Sequence, residues 1–398
     1  MFAAHDRREP ARRLRVLHVL LSLEPGGLEN GVVNVVNGLD PARFESEVVC
    51  LKHAGEFARR IADPSVRVHE MDWRGGNDLR LPLKLARLFR ARRADIVHTR
   101  NAEPFFHGFV GAKLARVPAL VHSEHGRTFD DRAVRFVVQR WMTRFTDAVF
   151  AVSTQLKTDL VRHVGLPEAR VEVLYNGVDL GRFGVDDGAV VEAGSAVGTD
   201  VHARAAWHAE LGLPPGAFVI GSVGRLVAVK NYGLLLRACA RAGLAARRVH
   251  VVLVGEGPER AALEAQAQGL GIAAHVHLVG HRNDVQRLLP AFDLFVLPSL
   301  SEGMSNTLLE ALAAGVPAVA SDVGGNREIV RDGIEGRLFP SEDEGALADA
   351  LSRLVDDAAL RRTLGEAARQ RARSSFDLRA MVGRYEELYE RVAARRNA

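Results

Sequence analysis

The 398 residues include 53 Lys and Arg against 49 Asp and Glu, a formal charge of +4, and 47% are hydrophobic. That apolar content excludes a largely disordered chain, and at ~100–200 residues per domain the length predicts two domains. Two cysteines exclude a disulfide scaffold, and the near balance of charge excludes a nucleic-acid-binding chain as a whole. The Arg-rich first residues precede only a short apolar run, Leu14 to Leu23, too brief for a membrane span and without a cleavage signature. No targeting segment is therefore expected. A cytoplasmic setting fits, with Cys50 and Cys239 as small buried hydrophobes.

Short apolar runs then alternate with helical patterns. Strands are predicted at Val16–Leu20, Glu47–Leu51, Val66–Met71, Ile96–Thr99, Ala119–Ser123, Ala148–Val152 and Val171–Leu174, with helices such as Leu28–Leu39 and Leu81–Arg92 between them. Several strands are apolar throughout, as parallel strands covered on both faces must be. The pattern pauses at Val185 to Thr199, which reads as a linker. A second series follows at Phe218–Val223, His250–Val254, Val276–Val279, Leu294–Pro298 and Ala318–Ser321. Its helices are predicted at Asn231–Ala242, Pro258–Gln268, Val285–Ala291 and Thr307–Ala314. The chain closes with a charged amphipathic helix from Leu378 to Arg396. The fold class is thus α/β, two doubly wound Rossmann-like domains: residues 1–184, a linker 185–206, residues 207–376, and a helix 377–398 free to return to the first domain.

Ligands of such sheets bind beyond the carboxyl ends of the strands, so the residues after each strand carry the functional argument, and a cleft between two sheets is the default site. After the first strand, Gly26 and Gly27 open a helix and let backbone amides approach a phosphate or sugar. The segment lacks the Walker ending and the full dinucleotide spacing. After Val223, Arg225 and Lys230 lie five residues apart across a strand-to-helix loop. A forked guanidinium and a point charge there suit a diphosphate. After Pro298 a loop holds Glu302 and Gly303, and a helix starts near Ser305 and stops at Gly315. Amides at that helix start suit an anion, while Glu302 and Glu310 suit sugar hydroxyls.

Glu302 and Glu310 together form an E-x7-E motif, and in this setting the chain resembles the retaining family-four glycosyltransferases of GT-B fold. Gly26–Gly27, Gly224–Arg225, Lys230, Gly255-Glu-Gly257-Pro258 and Asn176-Gly-Val-Asp179 match further landmarks of that family. His98-Thr-Arg-Asn101 and Glu124-His-Gly-Arg127 resemble a bacterial exopolysaccharide-associated subgroup. The resemblance implies a sugar transfer from a nucleotide-diphosphate sugar, by preference uridine-linked, to a glycan or lipid-linked hydroxyl. Arg225 and Lys230 would bind the diphosphate and Glu310 the ribose. Glu302 and the amides of Gly303, Met304, Ser305 and Asn306 would hold the sugar, with Gly255, Gly257 and Arg282 toward the nucleobase. His125 would stand near the donor sugar and Gly27 near phosphate or acceptor. No metal or cofactor is implied, since two cations and a helix start stabilise the leaving group, and His122 and His125 lack a third ligand nearby.

Residues 51–150 hold 19 Lys and Arg against 11 Asp and Glu, while residues 151–200 hold 4 against 8. The basic stretches Arg80–Arg93 and Arg127–Arg144 mark the acceptor half, and the apolar and basic segment from Leu81 to Arg90 offers a peripheral membrane contact for a lipid-linked acceptor, weighed against an ordinary packed helix with a solvated Arg face. Other readings are a GT-B epimerase, a non-catalytic nucleotide-sugar-binding protein, and a dinucleotide dehydrogenase, which the missing glycines disfavour.

Overall fold

The computed structural model describes residues 12–76, 78–126, 133–183 and 201–397. Within them the alternation of apolar runs and helices forms two parallel sheets. The first has seven strands: β1 (Leu14–Leu20), β2 (Phe44–Cys50), β3 (Val68–Glu70), β4 (Ile96–Arg100), β5 (Ala119–Glu124), β6 (Ala148–Ala151) and β7 (Val171–Val173). Their order is β3-β2-β1-β4-β5-β6-β7. The second has six: β8 (Phe218–Val223), β9 (Val249–Val254), β10 (Val276–Gly280), β11 (Leu294–Leu297), β12 (Ala318–Ser321) and β13 (Gly336–Phe339), in the order β10-β9-β8-β11-β12-β13. In each sheet the order reverses once, between β1 and β4 and between β8 and β11. That reversal opens a crevice above the strand ends.

Two compact units hold these sheets. One takes the chain through Val152, Leu156–Leu174 and the segment from Met381 onward, and the other takes Ser153–Gln155 and Tyr175–Ala380. The division after Leu174 falls earlier than the expected 184. Val178 bridges to Asp377 and Asn176 bonds to Met304, which ties residues 175–183 to the second unit. Of the expected linker, residues 185–200 lie outside the described residues, and 201–206 are the start of a helix, Val201–Glu210. The linker reading is corrected there, because Ala and His supply helical residues where Gly ends.

Each strand is apolar for the reason given by its neighbours. Val16, Val19 and Leu20 of β1 have no exposed surface, since helices cover both faces of the sheet. Leu17, Val19, Leu85, Phe89, Phe105 and Phe109 pack into one core cluster on one face. In the second unit, Leu235, Leu236, Val251, Leu253, Val296 and Leu351 form the corresponding core. Cys50 and Cys239 are free and buried, and burial pushes each thiol up to about 12, so neither is a nucleophile. Strand β13 goes unmarked in the sequence because its core, Gly336-Arg337, breaks the apolar pattern. A Cβ on Gly336 would lie 2.3 Å from the carbonyl oxygen of Ala318, so the close strand approach demands glycine there. The final helix, Leu378–Asn397, rests on the first sheet through buried Tyr385, Tyr389 and Val392.

Candidate functional site

In the second unit the loops after β8 and β11 flank the point where strand order reverses, and between them they deliver Arg225, Lys230 and Glu302. Lys230 comes from the turn Ala228–Lys230 after β8, and Glu302 from the loop after β11. Lys230 Nζ lies 2.6 Å from Glu302 Oε1, and Ser299 Oγ donates to the same oxygen at 2.6 Å. The side chains are 19% and 11% exposed, so the pair is half withdrawn from water while its outer face stays open. Ser299 is itself fixed, because its carbonyl accepts from Ser321 Oγ at 2.6 Å. Arg225 opens the β8 loop. It is exposed and makes no ion pair among the described residues, so its guanidinium is available to an anion.

The glycines of this region have backbone reasons. A Cβ on Gly255 would sit 2.0 Å from the carbonyl oxygen of Gly224, at a φ of +146°, and one on Gly257 would sit 2.3 Å from that of Leu226. Leu226 N also donates to Glu256 O at 2.9 Å. These two glycines therefore let the β9 loop lie directly against the Arg225 loop. Their first effect is to support Arg225, and a ligand contact would come second. Arg282, expected toward a nucleobase, follows β10. Its guanidinium forks onto Asp284 at 2.9 Å twice and bonds Glu210 at 2.6 Å. These contacts raise its pKa further, so the side chain braces its own loop.

The helix after β11 runs Asn306–Ala313, with Ser305 at its N-cap accepting from Leu308 N at 3.3 Å. Gly315 follows with a φ of +72°, a left-handed stop. Met304 is buried, and its carbonyl accepts from Asn176 Nδ2 at 3.2 Å. Gly303 accepts from Gly325 N at 3.1 Å. Glu310 lies in the helix interior, half-buried, a turn beyond the first amides. The loop from Glu302 to Asn306 is thus held by Asn176 and by the Gly324–Gly325 turn. Sequence reasoning missed the support: Ser299, Ser321, Gly324 and Gly325. Gly324, at φ +51°, would put a Cβ 1.7 Å from the Glu302 carbonyl oxygen. The Gly324–Gly325 pair was the available signal.

Two expected residues, Gly27 and His125, belong to the first unit. Gly27 begins the helix Gly27–Gly38 after β1, behind an extended Gly26. His125 follows β5. Its backbone N–H donates to Asn101 Oδ1 at 2.8 Å, and its Nε2 lies 2.9 Å from Ser123 Oγ. Burial, then the Arg100 cation, then His122 hold the His125 imidazole down at about 3, so the ring is neutral at working pH. His122 has a structural role: it stacks on Phe105 at 3.8 Å and has no exposed surface. Arg127 lies outside the described residues. Among the described residues, no three His, Cys, Asp or Glu are grouped to hold a metal ion.

Residues 25–182 match the family model described as Glycosyltransferase Family 4, and residues 203–371 match that described as Glycosyl transferases group 1. A curated relative, the UDP-Gal:alpha-D-GlcNAc-diphosphoundecaprenol alpha-1,3-galactosyltransferase of Escherichia coli, is 27% identical over 95% of this chain and 97% of its own length. The Bacillus subtilis protein EpsF is 28% identical over 85% of this chain and 87% of its own. Among solved structures, HepE of Anabaena, in complex with UDP and glucose, superposes with a TM-score of 0.81 at 22% identity. It covers 95% of this chain and 100% of that one. A glycosyltransferase from Rickettsia africae gives 0.81 at 20% identity, over 96% and 98%.

Proposed function

The chain belongs to the family-four glycosyltransferases, with the GT-B fold and the exopolysaccharide-associated relatives of that family, and from that premise we propose that it moves a hexose from a UDP-sugar, with retention, to a hydroxyl of a lipid-linked glycan. The observation that carries this reading is the Lys230–Glu302–Ser299 node at the reversal of the second sheet. It sets a cation and a carboxylate side by side at the start of a capped helix.

In this reading Arg225 and Lys230 take the diphosphate, whose charge grows as the glycosidic bond stretches. The helix dipole behind Ser305 and Asn306 adds a fixed positive end. Lys230 then leaves part of its contact with Glu302, and that carboxylate turns to the sugar hydroxyls alongside the amides of Gly303 and Met304. Glu310 takes the ribose hydroxyls. Gly255 and Gly257 keep the Arg225 loop in place, and Arg282 fixes the loop beside the base. His125 takes a sugar hydroxyl, and Gly27 the phosphate or the acceptor. Retention follows a front-face course, in which the leaving phosphate assists deprotonation of the acceptor, and no metal or cofactor takes part. UDP is supported by the uridine-linked donor in the name of the Escherichia coli relative and by the UDP complex of HepE. The lipid-linked acceptor is supported by the first of these.

A peripheral membrane contact also belongs to this reading, on surface chemistry. The apolar side of the helix Leu81–Ala91 is spent in the core through Leu81, Leu85 and Phe89. Exposed apolar side chains gather instead on the helix Ala133–Thr143 and just after it: Val134, Val137, Trp141 and Phe145, with Arg140 and Arg144 among them. Such a mixture suits an anionic lipid surface. No helix among the described residues is long and apolar enough to cross a membrane.

A thermal-shift screen over nucleotides and nucleotide sugars tests the donor, because a ligand bound only by the folded state raises its stability by mass action. UDP and one UDP-hexose should raise the melting temperature and other nucleotides should not. A flat response to the whole panel overturns the reading. The anomeric configuration of the product then decides retention.

A further inference from the structure

Beneath the final helix lies a row of buried polar side chains that the donor reading does not use. The Tyr389 hydroxyl is 2.8 Å from His98 Nδ1. On the far side of that ring, His98 Nε2 is 2.9 Å from Ser123 Oγ, which is 2.9 Å from His125 Nε2. Tyr389, His98 and Ser123 have no exposed surface. His125 is only half-buried, and its Nδ1 has no partner among the described residues.

Counting hydrogens shows how the protons must run. Serine has a single O–H, so Ser123 donates to one imidazole and accepts from the other. The two Nε2 atoms are therefore in opposite states. Each neutral ring carries one N–H and passes the choice to its own Nδ1. The direction is set at the buried end by Tyr389, whose hydroxyl has His98 Nδ1 as its one hydrogen-bond partner among the described residues. In the reverse chain the Tyr389 proton has no acceptor in a site closed to water, and a buried unmade hydrogen bond is disfavoured. Tyr389 thus donates to His98 Nδ1, His98 Nε2–H donates to Ser123, and Ser123 donates to His125 Nε2.

We infer that the Tyr389–His98–Ser123 row locks His125 in its Nδ1–H tautomer, so that the ring offers a hydrogen-bond donor and not a base to the oxygen it meets. This deepens the proposed function and rests on it for the nature of that oxygen, a sugar hydroxyl or a phosphate oxygen. Tyr389, His98 and Ser123 are positioning residues. They act through His125: Ser123 from β5, His98 from β4 and Tyr389 from the final helix.

Long-range proton–nitrogen spectra of the ligand-free full chain, with nitrogen-15 histidine, read the tautomer directly. His125→Asn identifies the resonances. The wild type should show a protonated Nδ1 and a bare Nε2 at His125. Tyr389→Phe and Ser123→Ala should each shift intensity to the protonated-Nε2 form, while a purely structural role would leave the tautomer unmoved. If Tyr389→Phe fails to fold, Ser123→Ala, which removes one oxygen, carries the test. A wild-type His125 with Nε2–H, or a tautomer unchanged in a folded variant, overturns the inference. Turnover separates the two claims. Normal activity of His125→Asn ends the functional role of His125, whereas the tautomer assignment stands or falls on the spectra alone.

Discussion

Replacing Lys230 with Met removes a cation from a partly buried pair and strands the Glu302 carboxylate, which keeps only the Ser299 hydroxyl. Exposed ion pairs contribute about 0–1 kcal/mol, and breaking a fully buried one costs about 3–5 kcal/mol. With side chains 19% and 11% exposed, Lys230–Glu302 falls between these limits, at about 2 kcal/mol. For a unit of this size that corresponds to roughly 4–8 °C in melting temperature. The effect on turnover should be larger and of different origin. A preorganised donor to developing charge is worth about 100- to 1000-fold in kcat. The double variant Lys230→Met/Glu302→Gln separates the two effects: it strands no charge, so the melting temperature should recover, while turnover should stay low. Thermal unfolding and a nucleotide-sugar turnover assay measure the pair. The reasoning is refuted if the single variant keeps more than about a tenth of wild-type kcat, or if the double variant recovers activity along with stability.

Glu310→Gln should weaken UDP affinity by calorimetry, and unchanged affinity would remove Glu310 from the ribose. Gly324→Ala should lower the melting temperature and slow turnover together. Its Cβ has no room beside the Glu302 carbonyl, and its φ of +51° is strained for alanine. An unaltered variant would show that the loop relaxes freely. Activity should persist in excess chelator, and loss restored by a divalent ion would contradict a metal-free transfer. Stability of the second unit should fall on acidification, measured by denaturant unfolding. His250 packs 3.0 Å from His277, and burial, then His277 and His275, hold it down to about 4. The unfolded chain takes up the proton near the ordinary value of about 6.5, so stability is intact above that and declines as pH falls toward 4. His277→Asn should flatten this decline, and an unchanged slope would refute the assignment.

Much of the site was legible in the sequence because its chemistry is local. Glu302, Ser305 and Glu310 share one strand–loop–helix segment, and Arg225 and Lys230 share one turn. Other features depend on partners far along the chain. The resemblance places Arg282 toward the nucleobase, and only the fold shows that Glu210 and Asp284 hold its guanidinium. The helix Leu81–Ala91 leaves open a membrane face or a packed helix with a solvated Arg face, and the fold turns its apolar stripe inside, while exposed apolar residues sit some fifty positions later. The division after Leu174 was hidden because a backbone bridge between Val178 and Asp377 has no signature in either segment.

By itself, then, the sequence determined two doubly wound domains and the residue types of the candidate site, since strand hydrophobicity and helix caps are written within a few residues of one another. The tertiary structure decided which charges are paired, which glycines are demanded by close backbone contact, and which way the His125 proton points. Those are properties of atoms brought within 3 Å by strand order, and strand order is not encoded in any local stretch of chain.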